Sequence, residues 1–280
     1  MLMRIINLFI VQIPRLVSGV CFFLFGLPTV FGDTWDGGMD SIASSPSNAN
    51  VYYVRRARQL AWIADQVNTT KNSFTGETII LTDNLDLGGM KTIPLNWNPI
   101  GINPDHAFQG LFNGNGKIIN NLHISDSGVS YENAGLFGYV TNNGKVNNGT
   151  IQSVTIVNGV VDLTTNTHVG ALVGYTNGKS DAFQITIFDC HVKNITITQH
   201  NQFSSKSIGG LVGFCNDYTT IQNSDALDVS IHCQNQYVGG LVGYLGYSDS
   251  CTISSCYASG SLTNTYVSGE NQYSGGLVGE

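Results

Sequence analysis

The chain has 280 residues, 42% of them hydrophobic and 11% charged, with a formal net charge of −7. Ordinary soluble domains carry about 25% charged residues, so broad charged helical surfaces are excluded, and an acidic balance without a Lys/Arg stripe excludes nucleic acid as a partner. With 33 Gly and 28 Asn against 6 Pro, the composition suits short strands joined by many turns.

Arg4 and Arg15 precede an apolar run from Leu16 to Phe31, after which Gly32 and Asp33 open polar sequence. That is the order of an export signal, so residues 1–32 are expected to form a cleaved signal peptide, with an uncleaved anchor as the alternative. The run is short for a membrane-spanning helix and Pro28 interrupts it, so no span is expected after cleavage. Removal would take the net charge to (12 − 2) − 19 = −9. Residues 33–50 read as a linker and residues 51–110 as a capping, lead-in region. Within it, Ala57, Leu60, Ala61, Ala64 and Val67 stand at helical spacing, which predicts one helix over residues 55–67. Its expected role is to cover exposed strand edges at the end of the fold.

From residue 111 to 280 the sequence repeats. Ala134-Gly-Leu-Phe-Gly-Tyr-Val140, Val169-Gly-Ala-Leu-Val-Gly-Tyr175, Ile208-Gly-Gly-Leu-Val-Gly-Phe214, Val238-Gly-Gly-Leu-Val-Gly-Tyr244 and Ser274-Gly-Gly-Leu-Val-Gly-Glu280 align on Leu136, Leu172, Leu211, Leu241 and Leu277. These leucines are 36, 39, 30 and 36 residues apart, a period long enough for one supersecondary unit. Gly135, Gly138, Gly170, Gly174, Gly210, Gly213, Gly240, Gly243, Gly276 and Gly279 complete the motif. A second column aligns Ile119–Ile124, Ile151–Ile156, Ile187–Val192, Ile221–Ala226 and Ile253–Ala258, and a looser third strand fits Val160–Leu163, Ile195–Ile197 and Val229–Ile231. Three short strands cannot bury enough apolar surface alone. Stacked as coils about 4.8 Å apart they can, so the expected fold is an all-β solenoid of about five coils behind a short helix and irregular cap.

At these residues the sequence resembles proteins carrying the GLUG motif, found in bacterial surface and adhesin-like proteins and beside the catalytic region of IgA-specific metallopeptidases. The resemblance extends upstream through Leu60–Asn68, Phe74–Leu87, Asn98–Gly101 and Phe108–Leu122. It implies a secreted or surface location and a binding or scaffolding role. The chain stops inside a motif at Glu280 with no second cap, so the native sequence is expected to continue.

Chemistry is sparse in the pattern. No H-E-x-x-H, phosphate loop or G-x-S-x-G occurs, so no catalytic residue, metal or cofactor is assigned. Asp83 and Asp86 are the nearest approach to a carboxylate pair, three residues apart on a strand and hence on opposite faces. His123 and His191 are expected at one repeat position, with Thr155, Asp225 and Tyr257 there in other copies. Tyr139, Tyr175, Phe214 and Tyr244 form an aromatic column directly after the motif's last Gly; it is either a buried ladder or an exposed stack for sugar rings. Cys190 and Cys256 read as small core residues, while Cys251 and Cys256 are a candidate disulfide. Asn68, Asn148 and Asn194 are glycosylation acceptors by sequence. The expected function is non-enzymatic adhesion, ligand binding or display, with a host or cell-surface protein or glycan as partner. The alternatives are a β-helical carbohydrate-active enzyme and the non-catalytic leader of a longer peptidase.

Overall fold

The computed structural model describes residues 32–89, 91–126, 131–144, 149–165, 167–246, 250–265 and 272–280, without the side chains of 202–205. Apart from Gly32, the expected signal peptide lies outside the described residues, as do Cys21 and Asn148.

Successive copies of the repeat lie on top of one another, giving a β-solenoid of about five turns with one short helix. The longer sheet runs in the order Val51–Val54, Thr78–Leu81, Leu111–Asn120, Thr150–Leu163, Ile185–Gly209, Thr219–Gln222, Thr252–Ser254. A four-stranded sheet stacks Phe137–Thr141, Val173–Asn177, Val212–Cys215 and Val242–Leu245. Pairing between these strands is parallel and aligns equivalent residues: Ile151, Ile187, Ile221 and Ile253 form one column, and Val161, Ile197, Ile231 and Leu262 another. Every member of the first column up to Ile221 is 0% exposed. Full burial of such a side chain contributes roughly 1.5–3 kcal/mol, so the columns are the main source of cohesion between coils.

Coils need corners, and single left-handed residues supply them. Ser153, Asp189, Asn223 and Ser255 (φ 51°, 53°, 50° and 52°) make one corner, and Asn121, Asn158, Asn194 and Asp228 (φ 60°, 56°, 55° and 53°) the next. Asn and Asp tolerate this conformation better than other side-chain-bearing residues because the short polar group can bond locally. Strands therefore bend around the coil while keeping their pairing.

Two features differ from expectation. In the first coil, Ile119 pairs with Ile156, and Phe112 takes the position opposite Ile151. The segment Ile119–Ile124 therefore sits one corner further along than its aligned copies. Both corners place a left-handed Asn, Asp or Ser two residues after an apolar one, so local sequence matches either. The second difference concerns the lead-in, which is more regular than an irregular cap. Tyr52 pairs with Ile79 and Ile79 with Phe112, so two strands of residues 51–110 extend the solenoid sheet itself.

The helix spans Ala57–Thr70, three residues longer at its C-terminal end than the spacing predicts. The Gln59 Oε1 accepts the backbone N–H groups of Arg55 (2.8 Å) and Arg56 (3.2 Å), closing its start, and Lys71 (φ 59°) ends it. Leu60, Ile63 and Val67 are 0% exposed. The buried Asn68 amide donates to Pro99 O and its Oδ1 accepts from Gly101 N, both at 2.9 Å. That clamp fixes the segment whose Ile100 and Phe108 bridge to Phe137 and Val140, covering the first edge of the four-stranded sheet. Residues 33–50 dock on this cap: Trp35 is 8% exposed and meets Trp97 edge-on at 5.6 Å, and Arg58 bonds Asp36 (2.7 Å) and Asp40 (2.9 Å).

Candidate functional site: the outer faces of the coil stack

The Gly-Leu motif is structural in origin. Leu136, Leu172, Leu211 and Leu241 are at most 1% exposed, while Leu277 is 39% exposed. Their backbones are linked rung to rung, Leu172 N donating to Leu211 O (3.1 Å), Leu211 N to Leu241 O (2.9 Å) and Leu241 N to Leu277 O (2.9 Å). After each Leu the chain doubles back against a neighbouring strand at the motif's last Gly. At Gly213 a Cβ would lie 2.6 Å from Gly174 O and 2.7 Å from Val169 N, contacts that no side chain can make.

The aromatic column lies outside the main core. Tyr139, Tyr175 and Phe214 stack nearly parallel, with centroids 4.9 and 4.8 Å apart, and Phe214 meets Tyr244 at 4.9 Å and 42°. Tyr139 and Tyr244 are buried, Tyr175 and Phe214 half-buried. A second column closes over the rings: His168 meets the edges of Tyr175 (5.4 Å) and Phe214 (5.0 Å), and Tyr237 lies 4.5 Å from Tyr244. Both faces of Tyr175 are thus occupied by neighbouring rings, which leaves edges rather than faces for a ligand. Burial, then Tyr139 and Asp217, push the Tyr175 hydroxyl up to about 12.

His168 is 6% exposed, and its Nδ1 shares a hydrogen bond with Ser207 Oγ at 2.9 Å. Burial, and secondarily the nearby Lys206 charge, hold its pKa down to about 3. Since this folded value lies below the ordinary value near 6.5, the unfolded chain takes up a proton first. Stability is therefore undiminished above pH 6.5 and falls by up to about 1.4 kcal/mol per unit as pH drops toward 3. His168→Asn keeps a hydrogen-bonding group near Nδ1, and Asn133 already fills this position in the preceding coil. Urea unfolding at pH 7 and 4.5 is expected to show about 2–3 kcal/mol less acid loss in the variant than in the parent; equal losses would contradict the assignment.

A polar ladder runs along another outer face. Asn158 Nδ2 donates to Asn120 Oδ1 (2.9 Å), and Asn194 Nδ2 donates to Asn158 Oδ1 (2.6 Å). Asn121, Asn158, Gly159, Val160, Asn194 and Thr196 line an open groove of about 410 Å³ beside it. Sequence spacing missed this ladder, although Asn158, Asn194 and Asp228 recur 36 and 34 residues apart.

The remaining candidates separate. His191 pairs in register with Thr155 and Asp225, but His123 pairs with Val160, so the two imidazoles stand in different columns. This corrects the expected shared position and has the same cause as the displaced Ile119 copy. His191 Nδ1 lies 2.8 Å from Asp225 and His200 Nε2 lies 2.6 Å from Asp162. Asp86 accepts from Thr34, Gly88 and Asn121, and Asp83 from Thr82, so both carboxylates serve local hydrogen bonds. Among the described residues, no three His, Cys, Asp or Glu side chains are placed to hold a metal ion. No described helix is long and apolar enough to cross a membrane.

Cys190 is fully buried, its thiol pushed up to about 12 by burial, and Cys256 is half-buried. Cys251 and Cys256 are free and turn to different acceptors: Cys251 Sγ donates to Asn216 O (2.9 Å) and Cys256 Sγ to Ser254 O (3.2 Å). Of the glycosylation acceptors, Asn68 is buried in its clamp and Asn194 is exposed.

Comparison with known proteins agrees with the repeat. Residues 234–265 match the model of the GLUG motif. Over 161 residues, 55% of the chain, the sequence is 32% identical to halomucin of Haloquadratum walsbyi, and it spans 2% of that relative's length. A solved chain from Bacteroides ovatus, assigned by name as an immunoglobulin A1 protease, superposes with a TM-score of 0.41 at 16% identity, covering 85% of this chain and 86% of that one. Residues 234–265 thus match a GLUG motif, and the Gly-Leu core they share recurs in the other copies of the repeat.

Proposed function

We propose that the chain is a non-enzymatic secreted or cell-surface protein, and that its coil stack serves adhesion, ligand binding or display. The observation that carries this reading is the outer face itself. Asn120, Asn158 and Asn194 repeat one polar group per coil in a hydrogen-bonded row beside an open groove. Such a row offers many similar weak contacts along a rigid axis, which suits an extended partner, since linked weak contacts gain through effective concentration. Similarity to halomucin and the GLUG motif supports a surface or secreted setting. The fitting partners are a glycan or a cell-surface protein; an acidic, charge-poor surface disfavours nucleic acid.

The test is a panel of polysaccharides scored for both retention and turnover, with surface proteolysis of intact expressing cells. Retention without turnover, weakened several-fold by Asn158→Ala with Asn194→Ala, supports the reading. Turnover abolished by replacing one Asp on the solenoid face would establish an enzyme instead. In parallel, Tyr175→Ala with Tyr244→Ala is expected to destabilise the fold by about 3 kcal/mol or more, because the rings pack on one another. Loss of glycan binding at unchanged stability would make the aromatic column a binding site after all.

A further inference from the structure

We propose that Cys215 and Cys251 are the two halves of a coil-to-coil disulfide, formed when the protein meets a small-molecule disulfide such as oxidised glutathione. Cys215 ends the strand Val212–Cys215, and Cys251 immediately precedes the strand Thr252–Ser254 of the next coil. Cys251 Sγ lies against the end of that strand, donating to Asn216 O at 2.9 Å and reaching Cys215 O at 3.4 Å.

One coil earlier the same diagonal is built from hydroxyls. Thr176 is the register partner of Cys215, and Thr219 precedes Thr220 as Cys251 precedes Thr252, its partner. The Oγ1 atoms of Thr176 and Thr219 are 3.0 Å apart. Two γ-atoms at that distance belong to side chains that face each other across neighbouring coils, the arrangement a disulfide needs.

Accessibility sets the order of events. Cys215 is 0% exposed, whereas Cys251 is half-buried and meets the oxidant first. The hydrogen bond from Cys215 lowers the Cys251 thiol pKa, while that bond and burial raise Cys215 well above the ordinary thiol value. Cys251 is therefore the attacking thiolate. It displaces one thiolate from the small-molecule disulfide and becomes a mixed disulfide. Cys215 then loses its proton and attacks Cys251 Sγ, and the second small thiolate leaves. Two protein thiols are oxidised, one disulfide is reduced to two thiols, and the two protons pass to those thiols.

The test uses the purified chain incubated with oxidised glutathione, then mapped by mass spectrometry without reduction. The expected product is one linked peptide pair, Cys215 with Cys251, with Cys190 and Cys233 still thiols. The Tm is expected to rise by about 5–10 °C, as for a disulfide closing a loop of this length, and to return on reduction. Cys251→Ser should fold, since Thr219 shows that a hydroxyl fits there, and its Tm should not respond to oxidant. A Cys251–Cys256 link, a lasting glutathione adduct on Cys251 alone, or thiols unchanged by oxidant would each overturn the proposal.

Discussion

Leu211→Asp is expected to leave the repeat region unfolded at room temperature. Leu211 is 0% exposed, and its backbone is bonded to the equivalent leucines above and below, at 3.1 Å to Leu172 and 2.9 Å to Leu241. Losing the apolar side chain alone costs about 2–5 kcal/mol. Burying an unpaired carboxylate adds several more. The total reaches the ~5–15 kcal/mol by which ordinary domains are stable. Circular dichroism and denaturant titration measure the loss, and Leu277→Asp supplies the control within the same column. Leu277 is 39% exposed, so its replacement should cost far less. Equal effects at the two positions would mean that the column does not hold the coils together.

The second large effect is expected at Gly213→Val. Ordinary overpacking costs about 1–3 kcal/mol because neighbouring side chains can shift. Here a Cβ would lie 2.6 Å from Gly174 O and 2.7 Å from Val169 N, which are backbone atoms of paired strands. Neither can move without breaking the sheet, so a loss above about 3 kcal/mol is expected. At Gly276 nothing lies within 4 Å of the added atom. Gly276→Ala should therefore change the unfolding midpoint little, and a comparable loss there would remove the steric explanation.

Much of this architecture is legible in the sequence because stacking like on like forces repetition. Leu136, Leu172, Leu211 and Leu241 recur because each must meet its own kind on the axis, and the last Gly recurs because a strand crosses it closely. The displaced first copy was not legible: Ile119-Asn-Asn121 and Ile151-Gln-Ser153 are equivalent as strings, and only the pairing of Phe112 with Ile151 separates the corners. The sheet strands within residues 51–110 were hidden for another reason. Tyr52, Ile79 and Phe112 share a column but differ in kind, so no motif recurs to mark them. Strand alternation could not decide the facing of Tyr175 either, because its partial cover comes from His168, a residue of a different strand. The Cys215–Cys251 diagonal is likewise invisible to spacing, since its preceding copy is made of threonines.

Residues a few dozen positions apart are direct neighbours across coils. Through-hydrogen-bond NMR couplings between backbone nitrogens and carbonyl carbons test it most directly. The stack predicts couplings from Leu172 N to the Leu211 carbonyl and from Leu211 N to the Leu241 carbonyl, matching bonds of 3.1 and 2.9 Å. Couplings that instead link these amides to carbonyls within their own repeat, in the pattern of local hairpins, would contradict it.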